Sequence, residues 1–239
     1  MANSVLAFLL GAVAVLVLPA AGLAYRTGML PLPAALLQGM RSAAYLGVAA
    51  IIVSAIAMAL AYRRRVRRGI VLAAAGLVLG ALAAGIPLRW QRTARSVPPI
   101  HDITTDTVDP PTFERVVALR AGAPNTLDYD PSVGQQQRAA YPDVMPVTLP
   151  VPPDAAFEHA LDTARDAGWD IVDADREARR IEATDTTFWF GFKDDVVIRL
   201  TPAGAGTRVD VRSVSRVGRS DVGTNARRIR EYLASLQAG

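Results

Sequence analysis

Three runs of about 20 residues without a charged side chain, at 5–24, 42–62 and 69–88, constrain this chain more than any other feature. Each matches the ~20 residues that a helix needs to cross ~30 Å of hydrocarbon. They predict three transmembrane helices within residues 1–90. A cleaved signal peptide is the competing reading of the first run, since Gly22-Leu23-Ala24 offers small residues, Gly22 and Ala24, at a cleavage position. Against it, no Lys or Arg precedes the apolar core. None of the three interiors holds an Asp, Glu, Lys, Arg or His, the usual mark of a transport or proton path. Gly76, Gly80 and Ala84 have the spacing that lets helices pack closely.

The charge is divided along the chain. Residues 1–96 carry ten arginines and no acid, so the remainder holds 16 basic groups against all 22 acidic ones, a balance of −6. Five arginines (63, 64, 65, 67 and 68) crowd the loop between the second and third runs, against Arg26 and Arg41 in the other connector. Positive-inside bias puts the five-arginine loop and the N-terminus in the cytoplasm and everything after Trp90 outside. Arg89, Arg92 and Arg95 pull the other way, three against five. Tyr62 and Trp90 stand where interfacial aromatics belong. The expected location is the inner (plasma) membrane, with the lipid bilayer as partner and the C-terminal domain periplasmic. The high isoelectric point thus reads as a topology signal, and no nucleic-acid partner is expected. With no cysteine in the chain, disulfides, thiol nucleophiles and thiolate zinc sites are excluded.

Residues 91–150 are rich in proline, with Pro-Pro at 98–99 and 110–111, which disfavours continuous helix. Short helices are expected at 112–119 and 132–140. Apolar residues such as Ile100, Ile103, Phe113 and Tyr141 recur here, so the segment is expected to be an ordered tether or wrap. His101, Asp102, Asp106 and Asp109 invite a metal reading. One histidine and a few acids make a poor ligand set, and short acids in extended chain ordinarily cap turns. No metal and no cofactor are expected.

Residues 151–239 read as helix, four strands, helix. A helix starts near Pro153 and Asp154 and stops at Gly168. Strands follow from Trp169, over 180–192, 195–201 and 207–217, with turns at Lys193-Asp194 and at 203–206. Alternation in Val196, Ile198 and Leu200, and in Val209 and Val211, gives an antiparallel meander covered on one face. A last helix from Ser220 or Asp221 carries the stripe Ala226, Ile229, Leu233 and Leu236. The fold class is therefore three N-terminal transmembrane α-helices followed by an α+β domain, a four-stranded antiparallel meander flanked by two helices with a Pro-rich N-terminal wrap.

The corner between the last strand and the last helix is the candidate site. Asp221, Asn225 and Arg228 are spaced four and three apart, with Arg216 and Arg219 just upstream and Ser213 and Ser215 on the strand. One reading has Asp221 capping the helix and pairing with an arginine. The other has Arg216, Arg219 and Arg228 forming an anion pocket at a helix N-terminus. Phe188, Trp189, Phe190 and Phe192 form an aromatic strand, ordinarily core, in which Trp189 points opposite to Phe190 and lines a pocket or meets a partner. Asp194 and Asp195 are adjacent and expected to diverge, so they are not assigned as a catalytic pair. No phosphate loop, nucleophile elbow or zinc-protease helix is present, and no catalytic residue is assigned.

The segments IHDITTD at 100–106, FGFKDDVV at 190–197 and SRVGRSDVGTNARRI at 215–229 resemble the family called domain of unknown function 1499, over about residues 97–237. The resemblance implies a bacterial envelope protein of unassigned activity and carries over no mechanism. The expected function is a binding or envelope-interaction module for an envelope protein or an anionic or lipid ligand. A hydrolase using Ser213 or Ser215 and a purely structural corner are the alternatives.

Overall fold

The computed structural model describes residues 1–239 as two compact units. One comprises Met1–Thr93 with Trp189–Gly191, the other Ala94–Phe188 with Phe192–Gly239.

The first unit is helical. Its elements are α1 (Ala2–Arg26), α2 (Gly39–Arg63), entered through a π-helical turn at Ala34–Gln38, and α3 (Arg67–Ser96). All three are long and apolar enough to cross a membrane. Small residues set how closely they pack. A Cβ added at Gly76 would lie 2.7 Å from the Ala7 carbonyl oxygen, and one at Gly80 would lie 2.8 Å from that of Gly47. Only a residue without a Cβ permits backbone contact this close.

The second unit contains β1 (Asp102–Thr104), a 3₁₀ turn (Val116–Arg120), α4 (Pro131–Ala140), β2 (Val147–Leu149) and α5 (Pro153–Asp166). After them come β3 (Asp170–Asp175), β4 (Arg180–Thr186), β5 (Lys193–Ala203), β6 (Gly206–Ser215) and α6 (Thr224–Ala238). Strands β3 to β6 form the antiparallel meander that the alternation predicts, but the sheet has six strands rather than four. β1 and β2 both pair antiparallel with the free edge of β6, β1 against Arg212–Val214 and β2 against Thr207–Val209. Strands of three residues show no period that a sequence pattern can register. They cover an edge that would otherwise present unpaired backbone groups.

Other boundaries move for local reasons. The turn expected at Lys193-Asp194 lies earlier, at 187–192, where Gly191 takes φ +66°; Lys193 and Asp194 are in β5. The aromatic run is consequently not a strand, and Phe188 and Trp189 are 78% and 61% exposed. The helix expected at 112–119 is a single 3₁₀ turn. α6 starts at Thr224, because Val222 and Gly223 both adopt left-handed φ.

α5 and α6 cover one face of the sheet. Phe157 and Leu161 from α5 and Ile229 and Leu236 from α6 join Ile181, Val196, Ile198 and Val211 in the main core. The opposite face, expected to meet water, is also covered, and its polar side chains are buried. Glu182 and Asp195 are both fully buried, as Asp210 and Arg212 nearly are. Phe113 and Val116 pack there on Val197 and Val214. The Glu182 carboxylate accepts hydrogen bonds from the backbone N–H groups of Glu114, Arg115 and Val116 at 2.8, 3.0 and 2.8 Å. It thus supplies the cap for the 3₁₀ turn from a different element. Arg212 grips Asp102 through Nε and Nη2 at 2.9 and 2.7 Å, a bidentate pair that fastens β1 to β6.

Candidate functional site

β6 ends at Ser215, and the chain reaches α6 through Gly218 (φ +96°), Val222 (φ +54°) and Gly223 (φ +78°). Left-handed φ is cheap for glycine and costly for a β-branched residue. The turn around Val222 is held by Asp221, whose Oδ1 accepts from the Gly223 N–H at 2.9 Å and Oδ2 from the Asn225 N–H at 2.7 Å. These are orphan amides of a helix start, so Asp221 acts as the cap although it lies two residues before the nominal N-cap. Burial pushes its carboxyl above the ordinary value, against the pull of those two amides.

Asp221 is not the carboxylate that holds Arg228. Arg228 reaches Asp185 through Nε and Nη2 at 2.9 and 2.7 Å, and Asp194 through Nη2 at 2.7 Å. Asp185 and Asp194 stand directly opposite each other on β4 and β5. Two like charges in that position repel, and the guanidinium bonded to both offsets the repulsion. Burial disfavours the Arg228 charge, yet Asp194 and Asp185 together hold its pKa above the usual arginine value.

The remaining Arg228 nitrogen donates to Ser213 Oγ at 3.1 Å and to Asn225 Oδ1. Ser213 Oγ donates to Asn225 Oδ1 at 2.7 Å. Asn225 Nδ2 in turn donates to the His101 carbonyl and to Ser215 Oγ. Ser213, Ser215, Asn225 and Arg228 are therefore one buried network, joined to Asp221 through the Asn225 backbone. The hydroxyl of Ser213 faces an amide oxygen, which is no base, and both Asp221 oxygens serve helix amides. This arrangement fixes a corner and does not activate a nucleophile.

The other predicted residues lie apart from that network. Arg216 turns to the opposite face of the sheet, where Nε and Nη2 meet Asp195 at 2.9 and 2.8 Å. Arg219 is exposed, its carbonyl oxygen 3.4 Å from His101 Nδ1. Trp189 is in the 187–192 connection and is grouped with the first unit. The three arginines thus do not converge. The acids near His101 are also dispersed: Asp102 to Arg212, Asp106 to Arg208, and Asp109 to Arg199. Asp106 additionally accepts the Val108 and Asp109 N–H groups, and despite burial these amides hold its carboxyl below the ordinary value.

What sequence reasoning missed is a recess of about 710 Å³ bounded by α5, α6 and the end of β4. Asp185 and Arg228 form one wall of it. Asp162 and Asp166 line it from α5 and Glu231 from α6, and Trp169 contributes the ring that stacks on Tyr232 at 4.9 Å. Asp162 and Asp166 are four apart on one helix, the one local sign that they share a face. Nothing in the sequence pairs that face with Arg228.

A family model described as a protein of unknown function, DUF1499, matches residues 102–236. No curated protein matches the chain.

Proposed function

We propose, from the premise that this chain belongs to the DUF1499 family, that it is a membrane-anchored binding module whose ligand brings a positive charge into the recess between α5 and α6. The charge balance at Arg228 carries this reading. One guanidinium, with 6% side-chain exposure, serves two carboxylates, Asp185 at 31% and Asp194 at 5%. One negative charge is left over at the wall of a cavity that also holds Asp166, with Asp162 paired to Arg165 and Glu231 to Arg227. A part-buried surplus carboxylate is screened less than a surface one, so an ammonium or guanidinium group is the complementary ligand chemistry. The cavity lies within the usual range for small-molecule sites, ~300–1,000 Å³. Binding needs no activated nucleophile, in keeping with the Ser213 geometry. The arginine-rich loop between α2 and α3 supports presentation of the domain on the periplasmic side of the inner membrane, where its ligand or an envelope partner is met.

The test uses the full chain in nanodiscs of zwitterionic lipid, titrated calorimetrically with putrescine and with its neutral analogue butane-1,4-diol. Saturable putrescine binding, at least tenfold tighter than the diol and lost in Asp166→Arg, is expected. Equal affinity for the two, or no putrescine binding at millimolar concentration, overturns the reading.

A further inference from the structure

We infer a second ligand site, independent of the first, on the opposite face of the sheet: a recess for a monoanion with an apolar body, such as an aryl or short acyl carboxylate. The cavity has a volume of about 500 Å³ and is lined by Phe113, Val117 and Leu127, with Arg120 and Arg212 among its charged residues.

The charge balance here is the reverse of that at Arg228. Asp195, fully buried, is shared by two guanidiniums, Arg120 at 2.5 Å and Arg216 at 2.8 Å. It also accepts from Thr184 Oγ1 at 2.7 Å, so its acceptor capacity is taken up. One positive charge is left over. Arg212 contributes none of this surplus, because Asp102 neutralises it; the Pro111 and Leu127 carbonyls take two of its other three donors. Asp128 is the lone carboxylate of the lining and is exposed, where water and salt screen it. The surplus thus rests on Arg120, whose side chain is 5% exposed. A buried cation without full compensation is unfavourable, and an anion admitted beside it relieves the cost.

The donors define the ligand further. Arg120 Nη1 is engaged by Asp195 and the Val214 carbonyl, and Nη2 by the carbonyls of Asn125 and Ser215. Arg120 Nε is buried and has no partner. With the Nη donors of Arg120 engaged, a single surplus charge suits a monoanion. A phosphate dianion would demand more donors than the site has left. Phe113, Val117 and Leu127 then offer the apolar wall for the rest of the molecule, as in most small-molecule sites.

The experiment compares phenylacetate with phenylacetamide, of nearly equal shape and no charge, by ligand-observed saturation-transfer NMR on the full chain in nanodiscs. Phenylacetate is expected to bind saturably and at least tenfold more tightly than the amide. Arg120→Gln tests the charge directly but removes a buried partner of Asp195 and endangers folding. Val117→Trp is the second variant: Val117 is 54% exposed, so a larger side chain blocks the recess without disturbing the buried pairs. It is expected to weaken phenylacetate binding at least tenfold while leaving the circular dichroism spectrum unchanged. Equal binding of acid and amide, absence of phenylacetate binding at millimolar concentration, or full binding by a folded Val117→Trp overturns the assignment.

Discussion

Asp194 and Asp195 are consecutive on β5 and point to opposite faces of the sheet, where each enters a charge triad of opposite balance. Asp194 shares Arg228 with Asp185, and Asp195 is shared by Arg120 and Arg216. Strand alternation produces this arrangement, since successive side chains leave opposite faces of the pleat. The two positions should therefore respond differently to neutralisation. Asp195→Asn leaves the buried Arg120 and the part-buried Arg216 without a counter-charge, and is expected to cost about 3–5 kcal/mol. Asp194→Asn leaves Arg228 its Asp185 partner and removes a cross-strand repulsion, so its cost should be under about half of that. Denaturant titrations of the two variants, followed by tryptophan fluorescence, measure the difference. A larger loss at Asp194 contradicts the assignment.

Asp221 should leave a signature in the pH dependence of stability. Its pKa is raised in the folded chain, chiefly by burial, so the folded state prefers the protonated carboxyl. The stability contributed by that preference is complete below the unfolded-state value of about 3.9. It is lost as pH rises through the higher folded-state value. Asp221→Asn cannot ionise, so the stability of the wild type relative to the variant should fall across that window and level off above it. Unfolding midpoints of both proteins from pH 3.5 upward report this. A difference that is flat, or that grows with pH, contradicts it.

The cap itself gives a separate prediction. Asp221→Ala removes both acceptors for the Gly223 and Asn225 amides and is expected to cost about 1–2 kcal/mol. The loss should concentrate in hydrogen exchange at the first turn of α6, with β3 and β4 protected as before.

In the apolar helices of the first unit, Gly80→Leu forces a side chain into the space where the Gly47 carbonyl lies. The expected cost is about 1–3 kcal/mol or more, seen as a lower aggregation temperature in detergent. Leu79→Ala, one position away, is the control for simple loss of apolar volume. Equal temperatures for Gly80→Leu and the wild type would show that the close helix contact is not needed.

Topology is tested by fusions at the C-terminus. Alkaline phosphatase joined after Gly239 should be active and green fluorescent protein at the same point dark. The reverse pair of results refutes the orientation taken from the arginine-rich loop.

The meander was legible because its strands are long enough to alternate. Ile181 and Ala183, Val196 and Ile198, and Val209 and Val211 each repeat every second residue, and all are buried in one core. The three-residue β1 and β2 were not legible, for they have no period to detect. The aromatic run at 188–192 misled because β-propensity favours phenylalanine and tryptophan in strands, whereas left-handed Gly191 makes the segment a turn. At the corner, the cap by Asp221 could be read from its position before a helix. The destination of each arginine could not, since Arg216 and Arg228 had several acids within reach of sequence reasoning.

By itself, the sequence determined where the three apolar helices run, which strands form the central meander and which residues face its main core. These depend on hydropathy and period, and both are properties of neighbouring residues. Only the tertiary structure decided that Glu182 caps a turn 66 residues away, that Arg228 bridges β4 and β5, and that Asp195 holds two arginines. An ion pair or a cap forms between groups brought together by packing, and charge alone specifies no partner.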